Sequence, residues 1–179
     1  SQEGIYQHYK AISKISPLPI ILYNVPGRTM SNVTAETTLR LAHDFKNIIA
    51  IKEASGNLEQ CMRIIKHKPK DFLVISGDDN LTLPLMACGA DGVISVVANV
   101  FPEDFSEMVR QAAKSNMAVA QKLHYKIFEI TEQLFADGNP GGAKEALSLL
   151  NVCGPDVRLP LVVPNEKVQK RLKELISKY

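Results

Sequence analysis

Four short runs, residues 19–24, 47–52, 71–76 and 92–97, are rich in Ile, Leu and Val and bounded by turn-forming residues. They alternate little; Ile48-Ile49-Ala50-Ile51 is continuously apolar. That pattern predicts strands covered on both faces, as in a parallel sheet. After each run the period lengthens to that of an amphipathic helix. Ala35, Leu39 and Ala42 share a face after the first run, and Leu58, Cys61, Met62 and Ile65 after the second. Phe105, Met108, Val109 and Ala112 do so after the fourth. Asn80 is placed to cap the helix after the third run, Gly89 to end it, and Pro102 suits a first helical turn. A helix also precedes the first run, with Ser1 as N-cap and Ile5, Tyr9 and Ile12 at i, i+4 and i+7.

Strand–helix alternation with short connections predicts an α/β chain over residues 1–115, beginning with a helix and continuing through four βα units. Residues 116–179 read as helices. One long stripe runs through Ala120, Leu123, Ile127, Ile130 and Leu134. A shorter helix covers 143–150, a proline-rich connection 155–164, and a last helix turns Val168, Leu172, Leu175 and Ile176 inward. Four βα units fit either a small open doubly wound sheet or half of an eight-stranded barrel, which takes about 250 residues when complete. The leading helix favours the half-barrel, because it looks like the end of a βα unit whose strand lies upstream.

The chain has 179 residues, 45% of them hydrophobic, enough for a real core. Its 21 basic and 19 acidic residues are interspersed, and there is no Trp. That argues against a nucleic-acid platform. The densest basic stretch, Lys66-His67-Lys68-Pro69-Lys70, reads as a helix end, where cations are favoured. No apolar run approaches membrane-spanning length. Cys61, Cys88 and Cys153 are odd in number, widely spaced and without a CxxC pair. They read as buried, reduced thiols, which fits a cytoplasmic protein. His8, His43, His67 and His124 fall on helix patterns or ends, so none is assigned to catalysis. Asp78 and Asp79 lack further ligands at metal spacing and read as helix N-terminal charges.

In parallel α/β architectures the chemistry gathers at the C-terminal ends of the strands. Those ends carry Tyr23-Asn24, Lys52-Glu53, Ser76-Gly77-Asp78-Asp79 and Ser95-Val96. Lys52 closes an apolar run, and desolvation there favours the neutral amine that attacks carbonyls. The competing reading is a lysine that snorkels from a strand end and pairs with Glu53. Tyr23 is either a proton relay or an amphipathic residue with its hydroxyl at a strand end. Pro26-Gly27 fits a type II turn, with Gly at the position needing positive φ. It would aim Arg28 at a carboxylate, unless Arg28 is an ordinary surface residue. Gly77 could bring a backbone amide toward an anion, although no P-loop or GxGxxG pattern is present.

Taken together these segments resemble the dihydrodipicolinate synthases. Tyr23-Asn24-Val25-Pro26-Gly27-Arg28-Thr29 is similar to that family's YNVPxRT motif, and Ile51-Lys52-Glu53-Ala54-Ser55-Gly56-Asn57-Leu58 to the segment around its Schiff-base lysine. Ser76-Gly77-Asp78-Asp79 and residues 89–96 resemble the next two strand ends; Asn139-Pro140, Lys144 and Arg158-Leu159-Pro160 resemble the C-terminal portion. The resemblance covers essentially the whole chain. It implies a (β/α)8 TIM barrel with a C-terminal helical extension, of which residues 1–115 would supply strands five to eight and residues 116–179 the extension.

The resemblance also implies a function. Lys52 would form an imine with pyruvate and Tyr23 would relay protons. Arg28 would bind the carboxylate of aspartate 4-semialdehyde, and the backbone at Gly77 and Ile94 would line the pyruvate site. The product would be 4-hydroxy-tetrahydrodipicolinate, in diaminopimelate and lysine biosynthesis. A protonated imine is itself the electron sink, so no metal or organic cofactor is expected. The enzyme would be a cytoplasmic homo-oligomer, a tetramer or dimer. The chain alone is expected to be inactive, because the family's remaining relay residues would lie upstream of Ser1. The closest alternative is a sister lyase, such as N-acetylneuraminate lyase or a keto-deoxy sugar acid aldolase; Arg28 argues for the first branch. An alternative of another class is a non-catalytic α/β binding module.

Overall fold

The four apolar runs become strands β1 (Ile20–Asn24), β2 (Ile48–Glu53), β3 (Leu73–Ser76) and β4 (Gly92–Val93). They form one parallel sheet in the order β1-β2-β3-β4, in a computed structural model that describes residues 1–179. Helix α1 (Gln2–Ile15) precedes β1. The crossovers carry α2 (Pro26–Thr29) and α3 (Ala35–Asp44), then α4 (Leu58–His67), then α5 (Thr82–Ala87). Parallel crossovers are right-handed, so strands laid down in one direction send their helices to the same face. A doubly wound sheet needs a reversal of order to cover both faces. None occurs here, which excludes the doubly wound alternative.

The covered face is the core of the first compact unit, Ser1–Ile94. Leu22, Ile51 and Val74 stand side by side in the parallel register and are completely buried. They pack with Tyr6, Leu41 and Ile64, one from each of α1, α3 and α4. Each such side chain contributes about 1.5–3 kcal/mol by burial. Ser1 caps α1 as expected, and Thr34 and Asn57 cap α3 and α4; each side chain accepts from a backbone N–H group.

The opposite face is not covered by the helices of this unit. Ile21, Tyr23, Leu73 and Ile94 are all about 40% exposed or more. The expectation of strands covered on both faces is therefore corrected to one face. Several local expectations change as well. On α4, Ile64 is fully buried and Met62 is exposed, so the buried stripe is rotated from the one read in the sequence. Asn80 does not cap α5; its N-cap is Leu81, without a side-chain bond. Gly89 does sit past the helix end at φ +101°. The fourth run is a strand for two residues only, and Val97–Asn99 is a 3-10 turn. Cys61 is buried, and its thiol is pushed up to about 12 by burial; Cys88 is half-buried, and Cys153 is exposed, not buried as expected.

The second compact unit is Ser95–Tyr179. It contains α6 (Pro102–Ala113), α7 (Met117–Phe135), α8 (Gly141–Leu149) and α9 (Glu166–Ile176). Within this unit α6 packs along α7. Met108, Ile127, Leu134 and Leu172 are fully enclosed in this unit. Gly142 lets α8 cross α7 closely: a Cβ there would collide with the Leu134 carbonyl group. No helix is long and apolar enough to cross a membrane.

Candidate active site on the open face of the sheet

Strand parity sorts the strand-end residues. Tyr23, Lys52, Ile75 and Gly92 are register partners in one row across β1 to β4, on the open face. Asn24, Glu53, Ser76 and Val93 form the next row, turned to the covered face. Lys52 and Tyr23 are thus direct neighbours although 29 residues separate Asn24 from Glu53 beside them.

The Lys52 Nζ lies 4.3 Å from the centre of the Tyr23 ring. Lys52 has no ion-pair partner and no side-chain hydrogen bond. Glu53 is buried on the other face, where it accepts from Asn24, Gln60 and the Ser55 backbone. The pairing of Lys52 with Glu53 is therefore excluded. Behind the lysine stem stands Gly77, hydrogen-bonded through its N–H to the Glu53 carbonyl at 2.8 Å. A Cβ on Gly77 would sit 2.8 Å from the Ala54 Cβ and 3.0 and 3.1 Å from the Lys52 Cε and Cγ. The glycine is a packing surface for the lysine. The turn beyond it is fixed by Thr82, whose hydroxyl donates to Ser76 Oγ and the Asp78 carbonyl. Asp78 accepts from the Leu81 N–H, at 3.2 Å.

Arg28 is held differently from the expectation. Pro26 opens a one-turn helix at its first position, Gly27 is helical, and it is Met30 that takes the left-handed conformation, at φ 55°. Arg28 is exposed and makes no side-chain hydrogen bond or ion pair. Thr29 braces the turn by donating to the carbonyls of Val25 (3.2 Å) and Ser31 (3.0 Å). Ile94 lies just past β4, its N–H on the Ser76 carbonyl at 3.0 Å. Tyr23 also borders a cleft of about 380 Å³ with His8, Tyr9, Thr29 and Ser31. The structure brings Lys52, Tyr23 and Gly77 together, and sets Arg28 and Ile94 on flanking connections at the same strand ends. No group of three or more His, Cys, Asp or Glu is arranged to hold a metal.

The residues around Glu53 escaped the sequence reading. Asn24 and Gln60 donate to the carboxyl group and Asn32 links the two amides, with Asn24 and Asn32 far from Glu53 in sequence. The available signal was parity: polar residues directly after Tyr23 and Lys52 must face the covered side, where they need partners.

Known proteins resemble this chain along its whole length. The model of the dihydrodipicolinate synthetase family matches residues 1–179. The 4-hydroxy-tetrahydrodipicolinate synthase of Phocaeicola vulgatus is 56% identical over 179 residues, 98% of this chain and 60% of that protein. The crystal structure of dihydrodipicolinate synthase from Aquifex aeolicus superposes with a TM-score of 0.96 at 38% identity, covering 100% of this chain and 61% of that one. The chloride-inhibited dihydrodipicolinate synthase of Acinetobacter baumannii, complexed with pyruvate, gives 0.94 at 39% identity, covering 99% and 60%. The chain thus spans about 60% of the length of the relatives it matches.

Proposed function

The chain belongs to the dihydrodipicolinate synthetase family, and from that premise we propose that it carries the imine-forming part of a lyase active site. Lys52 attacks the ketone of pyruvate and loses water to form the imine. The protonated imine withdraws electrons, the former methyl group gives up a proton, and the resulting enamine attacks the aldehyde carbon of aspartate 4-semialdehyde. Hydrolysis and cyclisation release 4-hydroxy-tetrahydrodipicolinate, a step toward diaminopimelate and lysine. Tyr23 relays protons beside the amine, Arg28 grips the semialdehyde carboxylate, and the backbone at Gly77 and Ile94 lines the pyruvate site.

The observation that carries this reading is the placement of Lys52. Its amine is free of ion pairs, sits 4.3 Å over the Tyr23 ring, and is backed by Gly77 on the open face of the first unit's sheet. The same open face supports a second part of the proposal. The four strands are strands five to eight of a (β/α)8 barrel, with residues 1–115 in the barrel and 116–179 as its helical extension. Ile21, Leu73 and Ile94 would then be interior residues, which accounts for an apolar surface that a lone sheet would leave in water. The assembled enzyme is a cytoplasmic homo-oligomer in this reading.

Borohydride trapping tests it. The full-length protein incubated with pyruvate and reduced should gain a stable adduct, mapped by peptide mass spectrometry to Lys52. An unmodified Lys52 under conditions of turnover would reject the imine mechanism.

A further inference from the structure

Glu53 is a buried acidic side chain with no cation beside it. Its Oε1 accepts from the Ser55 N–H (2.9 Å) and from Asn24 Nδ2 (3.0 Å). Its Oε2 accepts from Gln60 Nε2 (2.9 Å) and again from Asn24 Nδ2 (3.1 Å). Every contact is an N–H donor, and the residue is 2% exposed.

The amides around it form a chain whose direction is fixed. The Val33 backbone N–H donates to Asn24 Oδ1 (3.0 Å), and a backbone N–H cannot reverse its role. Asn24 must therefore turn its NH2 toward Glu53 and toward Asn32 Oδ1 (2.8 Å). Asn32 in turn donates to Gln60 Oε1 (3.0 Å), so Gln60 must point its own NH2 at Glu53 and at the Val33 carbonyl (3.2 Å). Polarity runs from one end of the network to the other and terminates on Glu53, where only acceptors fit. Gln at this position has nearly the same shape. Its NH2 would face Asn24 with either Ser55 or Gln60, and no member can turn round to receive it.

The network spans the connection that carries Arg28. Asn24 precedes the 25–31 segment and Asn32-Val33 follow it, so the bonds to Asn24 pin both ends. Lys52, by contrast, is fixed by β-ladder pairing on both sides, to Tyr23 and to Ile75. We propose that Glu53 is a positioning residue: as an acceptor-only hub beneath the sheet, it sets the geometry of the Arg28-bearing loop and thereby recognition of the second substrate, while imine formation at Lys52 depends on it little. This rests on the function proposed above.

The test uses the full-length protein with Glu53→Gln. Amide hydrogen exchange over residues 25–33 should speed up while β1 and β2 keep their protection. KM for aspartate 4-semialdehyde should rise roughly tenfold, the effect of misplacing a charge-assisted contact. The pyruvate KM and the yield of trapped pyruvate on Lys52 should change by no more than about twofold, since the ladder holds the lysine. A merely structural role would lower stability without separating the two substrates. Unchanged exchange over 25–33, or equal loss for both substrates, overturns the proposal. If Glu53→Gln does not fold, Asn32→Ala, which interrupts the same chain at a half-buried position, should give the same split with a smaller amplitude; equal KM changes there overturn it too. Failure of the unmodified protein to trap pyruvate would reject the imine mechanism instead, and the exchange result would still decide whether Glu53 holds the loop.

Discussion

Adding one methyl group at Gly77 separates packing from backbone conformation. Gly77 does not adopt the left-handed region that favours glycine, so alanine there carries no conformational penalty of that kind. What it meets is matter. The new Cβ would be 2.8 Å from the Ala54 Cβ, where carbon atoms prefer about 3.5–4.0 Å. The Lys52 stem, at 3.0 and 3.1 Å, can swing aside, but Ala54 has no rotamer to change. The backbone of β3 must then withdraw from β2, straining the bond from the Gly77 N–H to the Glu53 carbonyl. Overpacking of this kind costs about 1–3 kcal/mol. Denaturant titration of Gly77→Ala should show that loss at an unchanged m-value, and the rate of borohydride-trapped adduct formation with pyruvate should fall by more than the folded fraction accounts for. Wild-type stability together with wild-type trapping would refute the argument that Gly77 is the packing surface of the lysine stem.

Three further outcomes are expected. Lys52→Arg should keep the fold but lose nearly all turnover, because a guanidinium stays protonated at working pH and forms imines poorly; activity near that of the parent protein would remove Lys52 from the mechanism. Gly142→Ala should destabilise the second unit by about 1–3 kcal/mol, since its Cβ would press on the Leu134 backbone, and thermal or chemical denaturation reads this directly. His124 is buried on α7 beside Tyr125 and Phe128, and burial holds its pKa below the ordinary 6.5. The unfolded chain then binds the proton more readily, so this contribution is complete above about pH 6.5 and is lost as pH falls through the folded value. Stability should therefore drop between pH 7 and 5, and His124→Gln should flatten that slope.

The sequence made the βα units legible because hydrophobic period is a local property. The juxtaposition of Lys52 and Tyr23 was legible because each closes an apolar run at the same end of a parallel sheet. Pro26-Gly27 was misjudged because Pro serves equally at the second position of a turn and the first of a helix. The run after Gly92 looked like a full strand, but strand length is set by available partners, and only Gly92 and Val93 find them on β3. The one-sided covering was hidden for a related reason: Ile21, Leu73 and Ile75 are as apolar as residues buried on both faces. The Glu53 network was the least legible, since its bonds join positions up to 29 residues apart and no spacing announces them.

The alternation across β2 also makes the length of that strand a quantity that cannot drift. Lys52 faces the open side and Glu53 the covered side, one pleat apart. A substitution in the strand perturbs one contact and has a graded cost. A single inserted or deleted residue between Ile51 and Lys52 inverts the phase, turning the amine into the apolar cover and the carboxyl group out of its ring of donors. Changes in chain length are absorbed more easily at turns between helices, such as those at Ser115, Gly138 and Asn151. Over evolutionary time this protein can be lengthened at its helical joints, while the pleats that present Lys52 keep their count.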